Sequence, residues 1–105
     1  MLFSINSGLL EACVLALLSN EDSYGYKLTQ DVKDVMSISD STLYPVLKRL
    51  QTAGFLETYD MPIDGRNRKY YRITPAGKRQ QSLYCDEWKS YKELIEKIFK
   101  GAQHS

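Results

Sequence analysis

Basic and aromatic side chains alternate closely between residues 64 and 74, in the stretch DGRNRKYYRIT. The stretch holds four of the fourteen Lys and Arg residues of the chain and two of its eight tyrosines. Guanidinium and ammonium groups neutralise phosphate oxygens, so such a cluster favours contact with nucleic acid. The alternative is a solvated hairpin whose charges only keep the protein soluble.

The positive charge is local, because the whole chain of 105 residues has a net charge of only +1. Residues 1–39 carry a net charge of −3, residues 40–80 carry +4 and residues 81–105 are neutral. Screening limits the reach of each charge to about 10 Å, so a concentrated patch acts on a nearby partner even when the total charge is small. The middle segment is therefore the predicted contact surface.

Other chemistry has little support in the sequence. Cys13 and Cys85 are far apart and belong to no CxxC pair, so we interpret them as buried or semi-buried small residues rather than a metal site or disulfide. His104 lies in a polar tail and has no metal-ligating or catalytic partner in sequence. We find no Ser, His and acid arrangement and no phosphate-cradling glycine loop. The sequence thus predicts neither enzyme activity nor a metal or cofactor.

The sequence also predicts a cytoplasmic protein without a membrane segment. No uninterrupted apolar run approaches the roughly 20 residues that a membrane helix needs. The N-terminal stretch MLFSINSGLLEACVLALL lacks a basic region and contains Glu11, which argues against a secretory signal.

Three helices are predicted before the basic stretch. Ser7 can cap a first helix that is apolar on most sides, and Ser23 can cap a second helix that runs to about Met36. Gly25 would permit a neighbour to approach the second helix closely. The predicted inward stripe of that helix is Tyr24, Leu28, Val32 and Val35.

The third helix is predicted over residues 40–53 and stops at Gly54, a residue type common just past helix ends. Its inward stripe is Leu43, Leu47 and Leu50. The opposite face is polar or basic, and a core requires none of these residues. That face consists of Ser41, Thr42, Tyr44, Pro45, Lys48 and Arg49.

A β-hairpin follows, with strands predicted at residues 55–60 and 68–73 and a turn at MPIDG. Alternation along the second strand places Tyr71 and Ile73 on the core face. Arg68, Tyr70 and Arg72 then lie on the other face, and Arg66 and Arg68 lie near the tip.

Thr74 followed by Pro75 predicts the start of a last helix of about 26 residues that ends at Gly101. Heptad spacing relates Tyr84, Trp88, Tyr91, Ile95 and Ile98, and Leu94 and Phe99 widen the stripe. A helix of this length spans on the order of 40 Å at 1.5 Å per residue, too long for so small a domain to cover. The stripe therefore predicts a homodimer.

Together these elements predict a mainly α fold with a small β-hairpin, a winged helix-turn-helix plus a long C-terminal dimerisation helix. Residues 1–73 form the predicted DNA-binding domain, and residues 74–105 form the dimerisation helix and tail. Such folds place the third helix in the major groove of double-stranded DNA and the wing beside it. The predicted DNA-contacting residues are Ser41, Thr42, Tyr44, Pro45, Lys48, Arg49, Arg66, Arg68, Lys69 and Tyr70.

The sequence also resembles the PadR family of transcriptional regulators. The resemblance is carried by SYGYKL (23–28), STLYPVLKRLQTAGFLE (41–57) and DGRNRKYYRITPAGKR (64–79) in that order. It implies a dimeric repressor that binds a palindromic operator and is released by a small effector. SLYCDEWKSYKELIEKIF (82–99) is similar to the C-terminal helix of compact, multidrug-sensing members. That similarity implies that Trp88 stacks on planar aromatic compounds at the dimer centre.

Other functions remain open at this point. The winged helix could bind another protein through the same surface, or the chain could sequester aromatic compounds without binding an operator. Tyr44 and Pro45 could serve only local packing, Tyr70 could be a sheet-face aromatic, and Trp88 could be dimer core.

Overall fold

The computed structural model describes residues 7–103, which form four helices and a three-stranded antiparallel sheet. Residues 1–6, the first part of the stretch predicted not to be a secretory signal, and His104 lie outside the described residues. The elements are α1 (Ser7–Asn20), β1 (Ser23–Tyr24), α2 (Gly25–Lys33), α3 (Leu43–Thr52), β2 (Leu56–Ile63), β3 (Arg66–Ile73) and α4 (Pro75–Gln103).

The core forms where α1, α2, α3 and the sheet meet. Helix α1 is buried on most sides, as its apolar composition predicts, and of its described side chains only Gly8, Ser19 and Asn20 are exposed. The buried apolar residues are Leu10, Val14, Leu15, Leu18, Leu28, Val32, Met36, Leu43, Val46, Leu47, Leu50, Leu56, Tyr71 and Ile73.

Helix α3 confirms its predicted inward stripe, with Val46 as an additional buried residue. The helix begins at Leu43 rather than near residue 40, because the preceding residues form a turn held by hydroxyl groups. Pro45 is thus the third helical residue, where a backbone N–H would have no helical acceptor. Gly54 follows the end of the helix with φ of +83°.

The hairpin of β2 and β3, here called the wing (residues 56–73), is longer and tighter than predicted. Its strands pair from Leu56 opposite Ile73 to Ile63 opposite Arg66. The loop is therefore Asp64 and Gly65 alone, not the whole MPIDG stretch. Both loop residues have positive φ, 50° and 78°, which is the backbone of a two-residue type I′ turn and explains the Asp-Gly pair.

The sheet has a third strand that the sequence analysis missed. Ser23 pairs with Tyr71 and Tyr24 pairs with Tyr70, so β1 extends the wing by one short strand. The prediction that Ser23 caps α2 is therefore wrong, because Ser23 is a buried strand residue and Tyr24 precedes the helix. Helix α2 ends at Lys33 instead of near Met36. The mainly α, winged helix fold is confirmed with these changes.

Helix α4 begins as predicted, because the Thr74 Oγ1 accepts a hydrogen bond from the Gly77 N–H at 3.0 Å. The same hydroxyl donates to the Gly54 carbonyl at 2.7 Å, which fixes the helix start to the end of α3. The helix does not end at Gly101 but continues to Gln103. Its 29 residues span roughly 43 Å, and the described molecule is 62 Å long.

Two smaller predictions were wrong. Val35 lies past the end of α2 and is 70% exposed, so it does not belong to the inward stripe. Cys85 is exposed on α4, whereas Cys13 is half-buried as predicted.

Among the described residues, no helix combines the length and the apolar character that crossing a membrane would require.

Candidate nucleic-acid interface

The outer face of α3 carries predicted DNA-contacting residues because its four inward residues face the core on the opposite side. Tyr44, Pro45 and Lys48 are all exposed. In the turn before the helix, Ser41 and Thr42 are also exposed, and both hydroxyls contact the Ser39 Oγ, at 3.2 and 2.7 Å. This hydroxyl cluster fixes the backbone from which α3 starts.

Tyr44 is held against α2 by Gly25. A Cβ atom on Gly25 would lie only 2.8 Å from the Tyr44 Cε1 atom, so a side chain there would displace the ring. The close approach expected of this glycine is therefore confirmed, and its neighbour is a predicted DNA contact. Tyr44 keeps 52% of its surface exposed while its ring is supported from behind.

The wing separates its side chains as predicted. Tyr71 and Ile73 are buried, whereas Arg66, Arg68, Lys69 and Arg72 are exposed. The Arg68 guanidinium carbon lies 4.3 Å from the centre of the Tyr24 ring, a cation–π contact that holds the charge at the edge of the sheet. The Lys69 Nζ lies 5.3 Å from the centre of the Tyr71 ring. Each of these two charges therefore lies against an aromatic ring.

Tyr70 lies on the outer face of the sheet between two other rings. Its ring centre is 5.4 Å from that of Tyr24 and 5.7 Å from that of Tyr59. The Tyr59 hydroxyl donates a hydrogen bond to Asp22 at 2.7 Å. Tyr70 is half-buried in this cluster, so its ring has a packing role whether or not it contacts DNA.

The basic side chains of α3 and the wing fall into two groups. The Arg49 Nε lies 3.0 Å from Glu11, and the Arg72 Nε lies 2.8 Å from Glu57. The remaining ones have no carboxylate partner among the described residues. These unpaired cations are Lys48, Arg66, Arg68 and Lys69.

Glu11 joins three helices through one side chain. On α1, it accepts a hydrogen bond from Arg49 of α3 on Oε1 and one from the Tyr84 hydroxyl of α4 on Oε2, at 3.0 and 3.3 Å. Burial raises the pKa of Tyr84 above its usual range. Tyr84, predicted at the dimer interface, therefore packs against the core of its own chain.

An apolar stripe runs along the exposed length of α4. Trp88 is 47% exposed, and its ring centre lies 6.5 Å from that of Tyr91. Of the other predicted interface residues, Ile98 is exposed and Ile95 is half-buried. The large exposed side chains of the stripe are Leu83, Trp88, Tyr91, Leu94, Ile98 and Phe99.

Sequence reasoning assigned no role to Tyr26 or Tyr59. It placed Tyr24 on the inward stripe of α2, which is wrong, because Tyr24 lies in β1 and precedes the helix. Tyr24 supports Arg68 and Tyr70, and Tyr26 is 68% exposed beside Tyr44. The signal was present in the SYGYKL stretch, whose tyrosines are close to the wing only because β1 pairs with β3.

Three helices followed by a two-stranded wing, with a long helix after them, define a winged helix-turn-helix protein. The sequence model of the transcriptional regulator PadR-like family matches residues 14–82, more than half of the chain. The chain belongs to this family, and the resemblance found in the sequence is confirmed.

The chain is also similar to individual proteins over most of its length. A crystal structure of smu.1704 from Streptococcus mutans is 42% identical with a TM-score of 0.91, covering 96% of this chain and 95% of that one. The transcriptional regulator Rv3488 of Mycobacterium tuberculosis is 31% identical over 93 residues, 88% of this chain and 84% of the relative. Bacillus subtilis PadR, solved in complex with operator DNA, is 27% identical with a TM-score of 0.67, over 73% of this chain and 45% of that one.

Proposed function

We propose that this PadR-like regulator is a dimeric repressor that binds a palindromic operator in double-stranded DNA and is released by a small effector. The observation that carries the DNA-binding part is the placement of the four unpaired cations. They lie on the outer face of α3 and on the wing, while the other basic side chains of these elements have carboxylate partners. The related B. subtilis PadR was solved with operator DNA, which supports the same partner.

In the proposed complex, α3 of each protomer enters the major groove and the wing lies along the adjacent backbone. Lys48, Arg66, Arg68 and Lys69 neutralise phosphates, which supplies most of the affinity. The start of α3 faces the base edges, at which proteins recognise DNA sequence. The residues that approach these edges are Ser41, Thr42 and Tyr44. The remaining predicted contacts are Pro45, Arg49 and Tyr70. In the proposed complex Arg49 lies at this surface but stays paired with Glu11, so it neutralises no phosphate.

The proposed dimer forms through the α4 stripe, so residues 1–73 contact DNA and residues 74–105 hold the two copies together. Six large apolar side chains are exposed on one helix of the described chain. A contiguous apolar patch of this kind marks an interaction site, and a second copy covers it with an equivalent stripe. Two copies present two α3 helices about one helical turn of DNA apart.

Trp88 and Tyr91 are the proposed effector contacts. Their rings are neighbours on the stripe that the second copy covers, so in the proposed dimer a planar aromatic compound stacks on them between the two α4 helices. An effector there acts by binding one dimer geometry more tightly than another. Glu11 can transmit a change in the position of α4 to α3, because its side chain accepts hydrogen bonds from both helices.

The test is a gel shift with the DNA immediately upstream of the protein's own gene, with and without planar aromatic compounds. We expect the upstream DNA to form a shifted complex with the protein. Unrelated DNA should compete poorly for the protein, and an effector should dissociate the complex. Trp88→Ala should bind the operator but lose the effector response. If ligands quench Trp88 fluorescence while no duplex is bound, the protein is an aromatic-compound carrier and the proposal is wrong.

A further inference from the structure

A cleft of about 320 Å³ opens between α2, the start of α3 and the wing. It is distinct from the outer face of α3, because it lies on the side of Tyr44 that faces α2. Its lining residues are Tyr24, Gly25, Tyr26, Tyr44, Arg68, Lys69 and Tyr71.

The lining of this cleft has the chemistry of an anion site. It contains four tyrosines, two cations and no carboxylate. Arg68 and Lys69 have no acidic partner among the described residues and are each supported by a tyrosine ring. The two cations at this position are therefore not engaged in an ion pair with any described carboxylate.

The backbone around the cleft adds further donors. Strand β1 covers β3 only at Tyr70 and Tyr71, so the edge of β3 from Lys69 towards the wing tip has no neighbouring strand. Gly25 and Tyr26 open α2, and Tyr24 before them provides no side-chain hydrogen bond to the helix start. Amide groups in a first helical turn have no helical acceptor.

We propose that this cleft binds one phosphate of the DNA backbone, with Lys69 and Arg68 supplying charge and Tyr26 and Tyr44 supplying hydroxyl donors. The proposal rests on the proposed function and adds Tyr26 and the start of α2 to the DNA-binding surface. A backbone phosphate is the fitting anion, because the cleft lies between the two elements that straddle a DNA strand in that function.

The decisive measurement is a double-mutant cycle on binding to a labelled mixed-sequence duplex, followed by fluorescence anisotropy. Tyr26→Phe removes one hydroxyl and should weaken binding by about fivefold per site without changing the salt dependence. Lys69→Gln should make the slope of log K against log salt less negative by about 0.9 per chain. If both residues hold the same phosphate, the double variant should lose less than the product of the two single losses.

Lys48→Gln provides the matched control, since Lys48 is an unpaired cation outside the cleft. Tyr26→Phe and Lys48→Gln should combine multiplicatively. Independent effects of Tyr26 and Lys69, or wild-type affinity for Tyr26→Phe, would overturn the cleft assignment while the proposed function stands. Failure of the wild type to bind any duplex would overturn both.

A second arm separates DNA from a free anion. We expect the amide signals of Gly25 and Tyr26 in ¹⁵N NMR spectra to shift with duplex DNA. Inorganic phosphate at equal ionic strength should leave them unchanged. Saturable shifts with inorganic phosphate alone would assign the cleft to a small anionic effector and overturn the DNA assignment.

Discussion

The salt dependence of DNA binding tests the distinction between paired and unpaired cations. Each protomer has four unpaired cations on α3 and the wing, so a dimer offers eight. Each phosphate contact contributes about −0.9 to the slope of log K against log salt, which gives a slope near −7 for the dimer. Arg66→Gln removes two of the eight contacts and should bring the slope to about −5.5.

Arg49→Gln is the matched variant, with the same change of charge on the same DNA-facing region. Arg49 is already neutralised by Glu11 at 3.0 Å. Because an ion-paired guanidinium has to leave its carboxylate before it can replace counterions on DNA, we expect this variant to keep a slope near −7.

Fluorescence anisotropy of a labelled duplex at about 50 to 200 mM salt measures the slopes. Thermal unfolding of each variant controls for loss of the fold. A slope near zero for the wild type would refute DNA binding through phosphates. Equal losses of slope for Arg66→Gln and Arg49→Gln would refute the reasoning that the ion pair with Glu11 removes Arg49 from the interface.

Three further predictions each concern a substitution at one residue of the structure. Gly25→Ala should displace the Tyr44 ring and weaken operator binding more than it weakens binding to mixed-sequence DNA, and equal losses in gel shifts would contradict this. Ile98→Lys should raise the dimer dissociation constant on the order of 100-fold, since burying this side chain in both copies contributes about 3 kcal/mol; sedimentation of an unchanged dimer would exclude the α4 interface. Burial raises the pKa of Tyr84, so its contribution to folding is present below about pH 10 and is lost as the pH rises through the folded-state value. The free energy of unfolding should therefore fall less steeply above pH 10 in Tyr84→Phe than in the wild type, and identical profiles would contradict that sign.

Local signals in the sequence located the helices and the wing, although several of their ends were predicted wrongly. The stripe of Leu43, Leu47 and Leu50 repeats at helical spacing, and Thr74 before Pro75 marks a helix start by residue type alone. The Asp-Gly pair marks a tight turn, although its flanking strands extended further than their β-forming residues indicated. Each of these signals depends only on residues close together in the chain.

The parts that were missed depend on contacts between distant segments. Strand β1 has two residues, too few to show any period, and it exists because β3 offers it an edge. Heptad spacing placed Tyr84 on the same stripe as Trp88 but could not distinguish the core of the same chain from a partner. The pairing of Arg49 with Glu11 joins different helices, so nothing near either residue in the sequence reveals it.

The two-residue turn of the wing also bears on the order in which the protein folds. A hairpin closed by Asp64 and Gly65 brings its strands together locally, and such hairpins form within about 1 to 10 μs. The whole of α2, α3 and β2 separates β1 from β3 in the chain, and closing so long a loop costs entropy before any pairing offsets it. We therefore expect the wing to form early and β1 to dock late, so that the cleft beside Tyr44 is completed only in the last step of folding.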